Sequence, residues 1–279
     1  MHTKTKWLNR AWAATLVSLL LASQALGWGQ EGHRVAASIA ERHLTVQARA
    51  KIQEILGADS SLVAVATWAD DIRNFRPETR PWHFIDIPLK VSAIDPQRDC
   101  SNGNCVTAAI THFVAVLKDS SATPNAKREA LKFIDHFVGD IHQPLHCEDN
   151  NDRGGNQKKI TFFGQPGNLH SAWDTRIIQR IDPDLETFAD TLDQEILASD
   201  IAQWQQGTVE DWALEAHALA QNPAYKFLPR GQTPALGTEA EIPYRTHTEE
   251  VYNGFHYSDP LFLACPRRSL HSALSSTEN

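Results

Sequence analysis

Long apolar runs, an excess of positive charge and cysteine are all scarce in this 279-residue sequence. After residue 27 no apolar run is long enough to span a bilayer, so we expect the rest of the chain to have no transmembrane segment. The formal net charge of -8 argues against a broad basic surface for duplex nucleic acid, although bound divalent cations would offset several carboxylates. The chain has no Gly/Ser-rich linker and no internal repeat, which favours a single domain.

The first 27 residues have the composition of a signal peptide. Basic residues precede the apolar stretch AWAATLVSLLLASQ, and Ala25-Leu26-Gly27 has small residues at the first and third positions of a cleavage site. A membrane anchor is the alternative, but the apolar stretch is too short and polar residues follow Trp28 at once. We therefore expect an exported, soluble protein whose mature chain begins at Trp28.

Only four cysteines are present, and in an exported chain they predict two disulfides rather than a redox or zinc-thiolate site. Cys100 and Cys105 enclose SNGN, a short turn-rich loop that can close locally. This pairing leaves Cys147 to pair with Cys265 by elimination. The Ser/Thr-rich residues after Cys265 predict a flexible tail at 266–279.

Apolar residues at helical spacing predict a mainly α fold. The predicted helices cover 31–56, 107–118, 127–146, 169–181, 188–205, 208–221 and 246–265. Strand signals are sparse, and the best of them is KKITFF at 158–163, which predicts one small β-hairpin. We therefore expect a single domain of many helices.

Histidine and aspartate occur at ligand spacing in the third predicted helix. His136 and Asp140 are four residues apart and share one helix face. Alone, such a pair is more often a hydrogen-bonded surface couple. The block FIDHFVGDIHQPLH, however, places this pair and His146 among large apolar residues, where a charge is costly unless it meets a partner or a cation. The block therefore indicates a metal site.

Two further groups support this interpretation. His170 and Asp174 repeat the four-residue spacing in NLHSAWD, and Asp70 and His83 each lie near a tryptophan, in TWADDIR and RPWHFIDIP. Nitrogen and carboxylate ligands without cysteine suit zinc, and sets that leave coordination positions open suit catalytic zinc. The other histidines are single on helix faces, point to a different face or have no carboxylate at ligand spacing. These are His43, His112, His142, His217, His247, His256 and His271.

Six motifs in a consistent order carry a resemblance to a known family. They are WGxxGH from Trp28, WAD from Trp68, WHFID from Trp82, HFVGDIHQPLH from His136, RGGN from Arg153 and NLHSAWD from Asn168. The series resembles the zinc-dependent single-strand-specific nucleases and 3'-nucleotidases of the S-one/P-one type. Their fold is shared with a family of zinc-dependent bacterial phospholipases C. The resemblance is strongest up to Trp173 and continues more faintly to Cys265, which implies a zinc-dependent nuclease domain over 28–265.

The resemblance implies three Zn2+ ions, and all nine ligand positions have the expected residue type. The first ion would be held by Asp70, His83, His136 and Asp140. The second would be held by the amine and carbonyl of Trp28, by His33 and by Asp140 as a bridge. The third would be held by His146, His170 and Asp174.

The resemblance also implies a catalytic role for residues at these ions. Asp70 and Asp140 would act through the metal ions that they hold. Arg73 would contact the phosphate, where a cation stabilises developing negative charge. The alternative for Arg73 is a surface salt bridge with Asp70 or Asp71.

A base-binding pocket is implied as well. Asp86 would bind the edge of the base and Phe84 would offer a stacking face, although core packing is the alternative for Phe84. Asn156 and Lys90 are weaker carry-overs from the family. The chain departs from the family before NLH, because it lacks the tyrosine that forms the other half of a base clamp; Phe163 could substitute for it.

Taken with the resemblance, the sequence predicts an endonuclease that cleaves single-stranded DNA and RNA to 5'-phosphate products and also acts on 3'-nucleotides. A phospholipase C that acts on phospholipid headgroups is the first alternative, and a zinc-storing or adhesion protein is the second. We expect a monomer with no obligate protein partner, in the periplasm or outside the cell. The absence of an N-x-S/T glycosylation site favours a bacterial source.

Overall fold

The computed structural model describes residues 28–57, 60–162, 164–204 and 206–225. The predicted signal peptide, the predicted helix at 246–265, Cys265 and the predicted tail lie outside these residues. No helix in the described part of the chain is long and apolar enough to cross a membrane.

The described chain is mainly helical, with one small sheet, so the predicted fold class is confirmed. The helices are α1 (Gln30–Arg42), α2 (Val46–Leu56), α3 (Leu62–Val65), α4 (Trp68–Ile72), α5 (Pro96–Asp99), α6 (Val106–Lys118), α7 (Pro124–Ile141), α8 (Leu169–Ser171), α9 (Ile177–Ile181), α10 (Leu185–Gln194), α11 (Ala198–Trp204) and α12 (Val209–Leu219). Short 3-10 helices cover Pro77–His83, Ser101–Gly103 and Pro144–His146, and π-helices cover Ala172–Arg176 and Ala220–Ala224.

Two of the predicted helices are each divided in the structure. The prediction at 31–56 was wrong in its continuity, because Thr45 caps a separate helix α2 by accepting a hydrogen bond from the Ala48 amide at 3.1 Å. The prediction at 188–205 is divided into α10 and α11, since the Asp200 carboxylate accepts the Leu197 amide at 2.9 Å and starts α11. In both cases a short polar side chain offers the backbone an alternative to the continuing helix.

The helix pair α6 and α7 forms the centre of the fold. Thr123 caps α7 and Pro124 occupies its first turn, where a missing amide costs nothing. The prediction at 127–146 extended this helix too far: α7 ends at Ile141, and residues 144–146 form a 3-10 turn that begins with Pro144. The ring of Pro144 cannot continue an α-helix, so the chain turns between Asp140 and His146.

The predicted β-hairpin is confirmed. β1 (Lys159–Phe162) pairs antiparallel with β2 (Gln165–Asn168), with Lys159 opposite Asn168 and Phe162 opposite Gln165. The Asn168 side chain then caps α8 through the Ser171 amide, which leads the chain directly into the NLHSAWD motif.

Three clusters of buried apolar side chains hold these elements together. The largest lies around α6 and α7 and includes Phe133 and Phe137, which flank His136 in sequence. A second contains Trp28, and a third contains Leu169 and Trp173. Each cluster therefore includes a predicted ligand or a direct sequence neighbour of one, so that packing of the core fixes the ligand backbone.

Candidate metal centre and cavity

The structure brings the nine predicted ligand residues into one buried region. Each is between 0 and 7% exposed. The nine are Trp28, His33, Asp70, His83, His136, Asp140, His146, His170 and Asp174. Three sets of ligand atoms have metal-binding separations, with every atom of a set within 4.8 Å of the others. The sets are His33 with Asp70 and His136, His83 with His136 and Asp140, and His146 with His170 and Asp174.

The carboxylate of Asp140 faces histidines on both of its sides. Its Oδ2 lies 2.8 Å from His83 Nδ1 and 3.2 Å from His136 Nε2, while its Oδ1 lies 3.4 Å from His33 Nε2. The four-residue spacing on α7 places Asp140 beside His136, and the stacking of His33 on His136, with ring centroids 3.8 Å apart, brings in the third imidazole. The first and second predicted positions thus form one continuous cluster.

The start of the described chain is hydrogen-bonded to the third set of candidate ligands, His146, His170 and Asp174. The Gly29 amide donates to the Asp174 carbonyl at 2.8 Å, and the buried indole of Trp28 packs on α1. A Cβ atom at Gly32 would come within 2.8 Å of that indole, and one at Gly29 within 2.2 Å of Thr175 Oγ1. Neither glycine has a positive φ, so their role here is to leave space. The backbone of Trp28 consequently lies between α1 and the third set.

Short elements supply the third set. His146 ends the 3-10 turn, His170 lies in α8, and Asp174 lies in the π-helix that follows. His170 Nε2 is 3.1 Å from Asp174 Oδ2, and the rings of His146 and His170 stack with centroids 5.1 Å apart. Insertion of a π-turn rotates Asp174 relative to a regular helix, a feature that is frequent at functional sites.

Backbone carbonyls fix the orientation of the histidine rings. The Nδ1 atoms of His136, His146 and His170 face the carbonyl oxygens of Ala66, His83 and Gly154 at 2.7, 2.9 and 2.6 Å respectively. Metal-binding imidazoles commonly donate their second nitrogen in this way, because the bond selects the tautomer and leaves the other nitrogen for the ion.

The residues present fit a bound cation. Within the described chain, Nδ1 of His33, Oδ2 of Asp70 and Nε2 of His83 are buried with no hydrogen-bond or ion-pair partner. A buried polar atom left in this state costs about 1–3 kcal/mol, more if charged. Cations coordinated at these atoms would remove the cost, and the nitrogen and oxygen donors suit zinc.

Electrostatics within the cluster agree with this fit. Burial and, after it, the charge of His136 lower the pKa of His33 to about 4, so this imidazole is neutral and can bind metal. Burial also opposes protonation of His136, but Asp140 and Asp70 outweigh it and raise the pKa of His136 to about 9. The cluster thus favours a positive charge between these carboxylates.

A cavity of about 620 Å3 opens beside the candidate ligand residues. Its wall includes Arg73, Phe84, Asp86 and Asn156 from the predicted substrate site, together with His83, His146 and His170. Lys90 is exposed and does not line the cavity, so the structure does not bring this weaker candidate to the site. The remaining lining residues are Arg80, Leu145, Glu148, Asp149, Arg153 and Gly154.

Arg73 and Asp86 differ in their settings. Arg73 is buried, with Nη1 3.4 Å from Asp70 Oδ1, so its ion pair lies inside the site and not on the surface. Asp86 is exposed at the cavity wall. Burial, followed by the charges of Asp149 and Asp99, raises the pKa of Asp86 to about 6.

The Cys100–Cys105 disulfide is present and supports this wall. The Val106 amide that follows it donates to the Phe84 carbonyl at 2.9 Å, and Trp82 Nε1 donates to Asn104 within the disulfide loop at 2.8 Å. These two hydrogen bonds fix the position of the WHFID segment relative to the disulfide loop. Cys147 is buried next to His146, and its predicted partner lies outside the described residues, so that pairing stays a prediction.

Sequence reasoning missed several residues at the site. Gln143 is fully buried and donates from Nε2 to Asp174 Oδ1, which orients the third set; its position inside HQPLH was the available signal. Gly139 lies against His33, where a Cβ atom would come within 2.6 Å of Nδ1. Glu148 is 1% exposed and accepts a hydrogen bond from the Tyr225 hydroxyl at 2.7 Å.

The histidines set aside in the sequence have other contacts. His217 lies between the carbonyls of Cys147 and Val91, at 2.8 and 2.9 Å. His142 faces the Val138 carbonyl at 2.7 Å, and His43 pairs with Asp193. These three belong to the structural framework around the cluster.

The fold and the site define a mainly helical protein with a buried histidine and aspartate centre that opens into a polar cavity. The family model described as S1/P1 Nuclease matches residues 28–253, and the chain belongs to the S1/P1 nuclease family. It is 40% identical to Nuclease S1 of Aspergillus oryzae over 169 residues, which cover 57% of this chain and 58% of that protein. The match therefore spans less than two thirds of Nuclease S1.

Other relatives are covered over more of their length. The chain is 35% identical to Nuclease P1 of Penicillium citrinum over 218 residues, 69% of this chain and 80% of that protein. It is 32% identical to Endonuclease 2 of Arabidopsis thaliana over 232 residues, 74% of this chain and 80% of that protein. All nine candidate ligand residues lie within the matched range 28–253.

Proposed function

We propose that the protein is an exported phosphodiesterase with three zinc ions. It cleaves single-stranded DNA and RNA endonucleolytically, leaves 5'-phosphate products and also acts on 3'-nucleotides. The observation that carries the proposal is the Asp140 carboxylate, each of whose two oxygens faces a histidine, inside a chain of the S1/P1 nuclease family. A carboxylate in this position suits a bridge between two metal ions.

The proposed ligands form three groups, the same three that the sequence motifs predict. Asp70, His83, His136 and Asp140 hold the first ion; Trp28, His33 and Asp140 hold the second; His146, His170 and Asp174 hold the third. Zinc at these positions would supply a bound water of lowered pKa and Lewis acidity toward phosphate oxygens, which phosphodiester hydrolysis at neutral pH requires. Asp140 would be shared by the first two positions, and the hydrogen bond from Gln143 orients Asp174.

Arg73 contributes the nearest fixed positive charge. Its guanidinium lies against Asp70 and lines the cavity, so it can contact a phosphate oxygen without losing its own ion pair. Negative charge grows on the phosphate oxygens as the bond to the 3' oxygen breaks, and a preorganised cation stabilises that charge. Arg73 therefore acts mainly on turnover.

Phe84 and Asp86 hold the base. Phe84 is 38% exposed at the cavity wall, where its ring can stack on any base, and the carboxylate of Asp86 can accept hydrogen bonds from ring or amino N–H groups. An intact duplex does not release a base into a recessed cavity, so single strands are preferred. Asn156 donates to the Arg153 carbonyl at 2.9 Å and shapes the same wall.

The N-terminal amine of the processed chain completes the second zinc position. Cleavage before Trp28 would free an α-amine, which loses its proton near neutral pH at little cost and chelates with its own carbonyl. The burial of the Trp28 indole and the Gly29 bond to Asp174 support this role, because they immobilise the terminus beside His33 and the third set. An internal residue would offer only an amide nitrogen.

A phospholipase C remains the principal alternative, because the cavity also has carboxylates that suit a cationic headgroup. The aromatic wall of such a site is not matched here: Phe84 is the only Phe, Tyr or Trp among the described lining residues, and three arginines would repel a choline group. The nuclease is therefore favoured. Family membership argues against a zinc-storing or adhesion protein.

One assay separates these functions. Zinc-replete protein, processed at Trp28, is incubated with single-stranded DNA, RNA, a 3'-nucleotide and phosphatidylcholine, with Asp140→Asn as the matched control. We expect hydrolysis of the three nucleotide substrates, 5'-phosphate ends, and loss of all three activities in the control. Hydrolysis of phosphatidylcholine alone would establish the phospholipase, and hydrolysis of nothing would leave a zinc-binding protein.

A further inference from the structure

Two arginines that the proposed chemistry does not use line the cavity on different structural elements. Arg80 lies in the 3-10 helix Pro77–His83, three residues before His83, and Arg153 opens the RGGN motif, in the loop before β1. Both side chains are exposed. Neither guanidinium lies within 4 Å of a carboxylate in the described part of the chain, whereas Arg73 is paired with Asp70.

Each of these arginines lies next to a residue that contacts a proposed metal ligand. Arg80 Nε donates to the Arg73 carbonyl at 3.4 Å, on the side of the cavity that holds Asp70. Arg153 precedes Gly154, whose carbonyl faces His170 Nδ1 at 2.6 Å, on the side of the third set. The two positive charges therefore line one cavity from different segments, Arg80 beside Arg73 and Arg153 beside the loop that supports His170.

The backbone of Arg153 is held in an unfavourable conformation. Its φ is +61°, in the left-handed region that residues with a Cβ atom rarely adopt. Both the amide and the side-chain Nδ2 of Asn156 donate to the Arg153 carbonyl, at 3.2 and 2.9 Å. The loop is further fixed by Asp152, which accepts the Gly155 amide at 2.7 Å and the Tyr225 hydroxyl at 2.8 Å. Strain of this kind, maintained by surrounding contacts, is concentrated at functional sites.

We propose that Arg80 and Arg153 bind phosphates that neighbour the one that is cleaved, and so select polynucleotides over mononucleotides. Two guanidiniums that line one cavity and have no carboxylate partner in the described chain suit a chain of phosphates, since each can make bidentate hydrogen bonds to phosphate oxygens. In a protein of net charge -8, such a local positive pair also directs an anionic strand to the site. The inference rests on the proposed nuclease function for its substrate class.

The test compares Arg80→Ala, Arg153→Gly and the double variant with wild type and with Arg49→Ala, an exposed arginine on α2 that does not line the cavity. Glycine at 153 removes the charge and accepts the positive φ, so the loop loses no backbone support. Zinc content and Tm serve as controls for the fold. Values of kcat/KM are measured for a single-stranded decanucleotide and for a 3'-mononucleotide, which has no flanking phosphates.

We expect each single variant to raise KM for the decanucleotide about fivefold to twentyfold, with KM for the 3'-mononucleotide unchanged. Binding of a fluorescent strand with phosphorodithioate linkages, which keep their charge and resist hydrolysis, gives a readout independent of cleavage. The slope of log K against log salt concentration should become shallower by about 0.7 for each contact removed. Arg49→Ala should match wild type.

The outcomes separate the two proposals. Equal losses for the decanucleotide and the 3'-mononucleotide, or a salt slope unchanged in the double variant, would overturn the flanking-phosphate contacts while the nuclease function stands. A wild-type protein that cleaves no nucleotide but loses salt-dependent strand binding in the variants would overturn the nuclease function and keep the contacts.

Discussion

The two sides of the histidine and aspartate cluster are built from different kinds of structure. His136 and Asp140 lie on the long helix α7, in the largest apolar cluster, where Phe133 and Phe137 are fully buried. The third set lies on a 3-10 turn, a three-residue helix and a π-helix, and its supporting loop has positive φ values at Asn151, Arg153, Gly154 and Gly155.

This difference assigns different sources of rigidity to the two sides. On α7 the ligand geometry follows from helical spacing and core packing, which are costly to disturb. In the third set it depends on individual hydrogen bonds, such as Gln143 to Asp174 and His170 to the Gly154 carbonyl. We therefore expect loss of a ligand in the third set to affect one metal ion, and loss of Asp140 on α7 to affect two.

Asp140→Asn is the change with the largest expected effect. An amide has one acceptor oxygen in place of two, so the bridge between the first and second ions is lost. Activity on single-stranded DNA should fall to below about 1% of wild type, with loss of up to two zinc ions measured by elemental analysis. More than a few per cent activity with normal zinc content would show that Asp140 is not the bridge.

A pair of glycine substitutions compares the two sides directly. Gly139→Ala directs a methyl group at His33, and Gly154→Ala directs one at the Leu145 carbonyl, 2.7 Å away, from a residue with φ +59°. Each should lose about one zinc ion and lower activity about 100-fold, because misplaced ligands weaken metal affinity by that order. Gly103→Ala, where the added Cβ meets nothing, controls for the cost of a positive φ. If both variants keep full zinc occupancy, these close contacts do not position the ligands.

The contrast between the two sides also explains what the sequence could predict. The four-residue spacing of His136 and Asp140 and the apolar residues around them suffice to predict a buried site on one helix face. The first residues of α2 and α11 are set by the polar side chain that caps the backbone there, and helical periodicity does not identify that side chain. The resemblance supplied Trp28 and His33, because no local pattern joins His33 to a residue one hundred positions later.

Three of the predicted substrate-binding residues line the cavity together with Arg73, and one does not. Phe84, Asp86 and Asn156 line the cavity, since the WHFID and RGGN motifs have fixed places beside the ligands. Lys90 lies in a turn that follows Pro88, outside the cavity wall. Arg80 and Gln143 could not be identified from spacing, because their roles depend on tertiary contacts.

Arg73→Ala and Asp86→Ala should have smaller and separable effects. Loss of the Arg73 cation should lower kcat about 10- to 100-fold, whereas loss of Asp86 should raise KM for a 3'-nucleotide about tenfold. Burial near Asp149 and Asp99 raises the pKa of Asp86 to about 6, so its carboxylate accepts hydrogen bonds above that pH and loses this capacity as the pH falls through 6. Nucleotide affinity should follow that titration in wild type and not in Asp86→Ala. If the two variants lowered Tm but left kcat, KM and the pH dependence of binding unchanged, both residues would have only a structural role.

Zinc stoichiometry at the mature terminus tests the central claim most directly. Protein that begins at Trp28 is compared with protein that carries one additional residue before it, after mass spectrometry of both. We expect three zinc ions per chain in the first and about two in the second, with a large fall in cleavage of single-stranded DNA. Active protein with one zinc ion or none, or equal zinc and equal cleavage in the two forms, would contradict it.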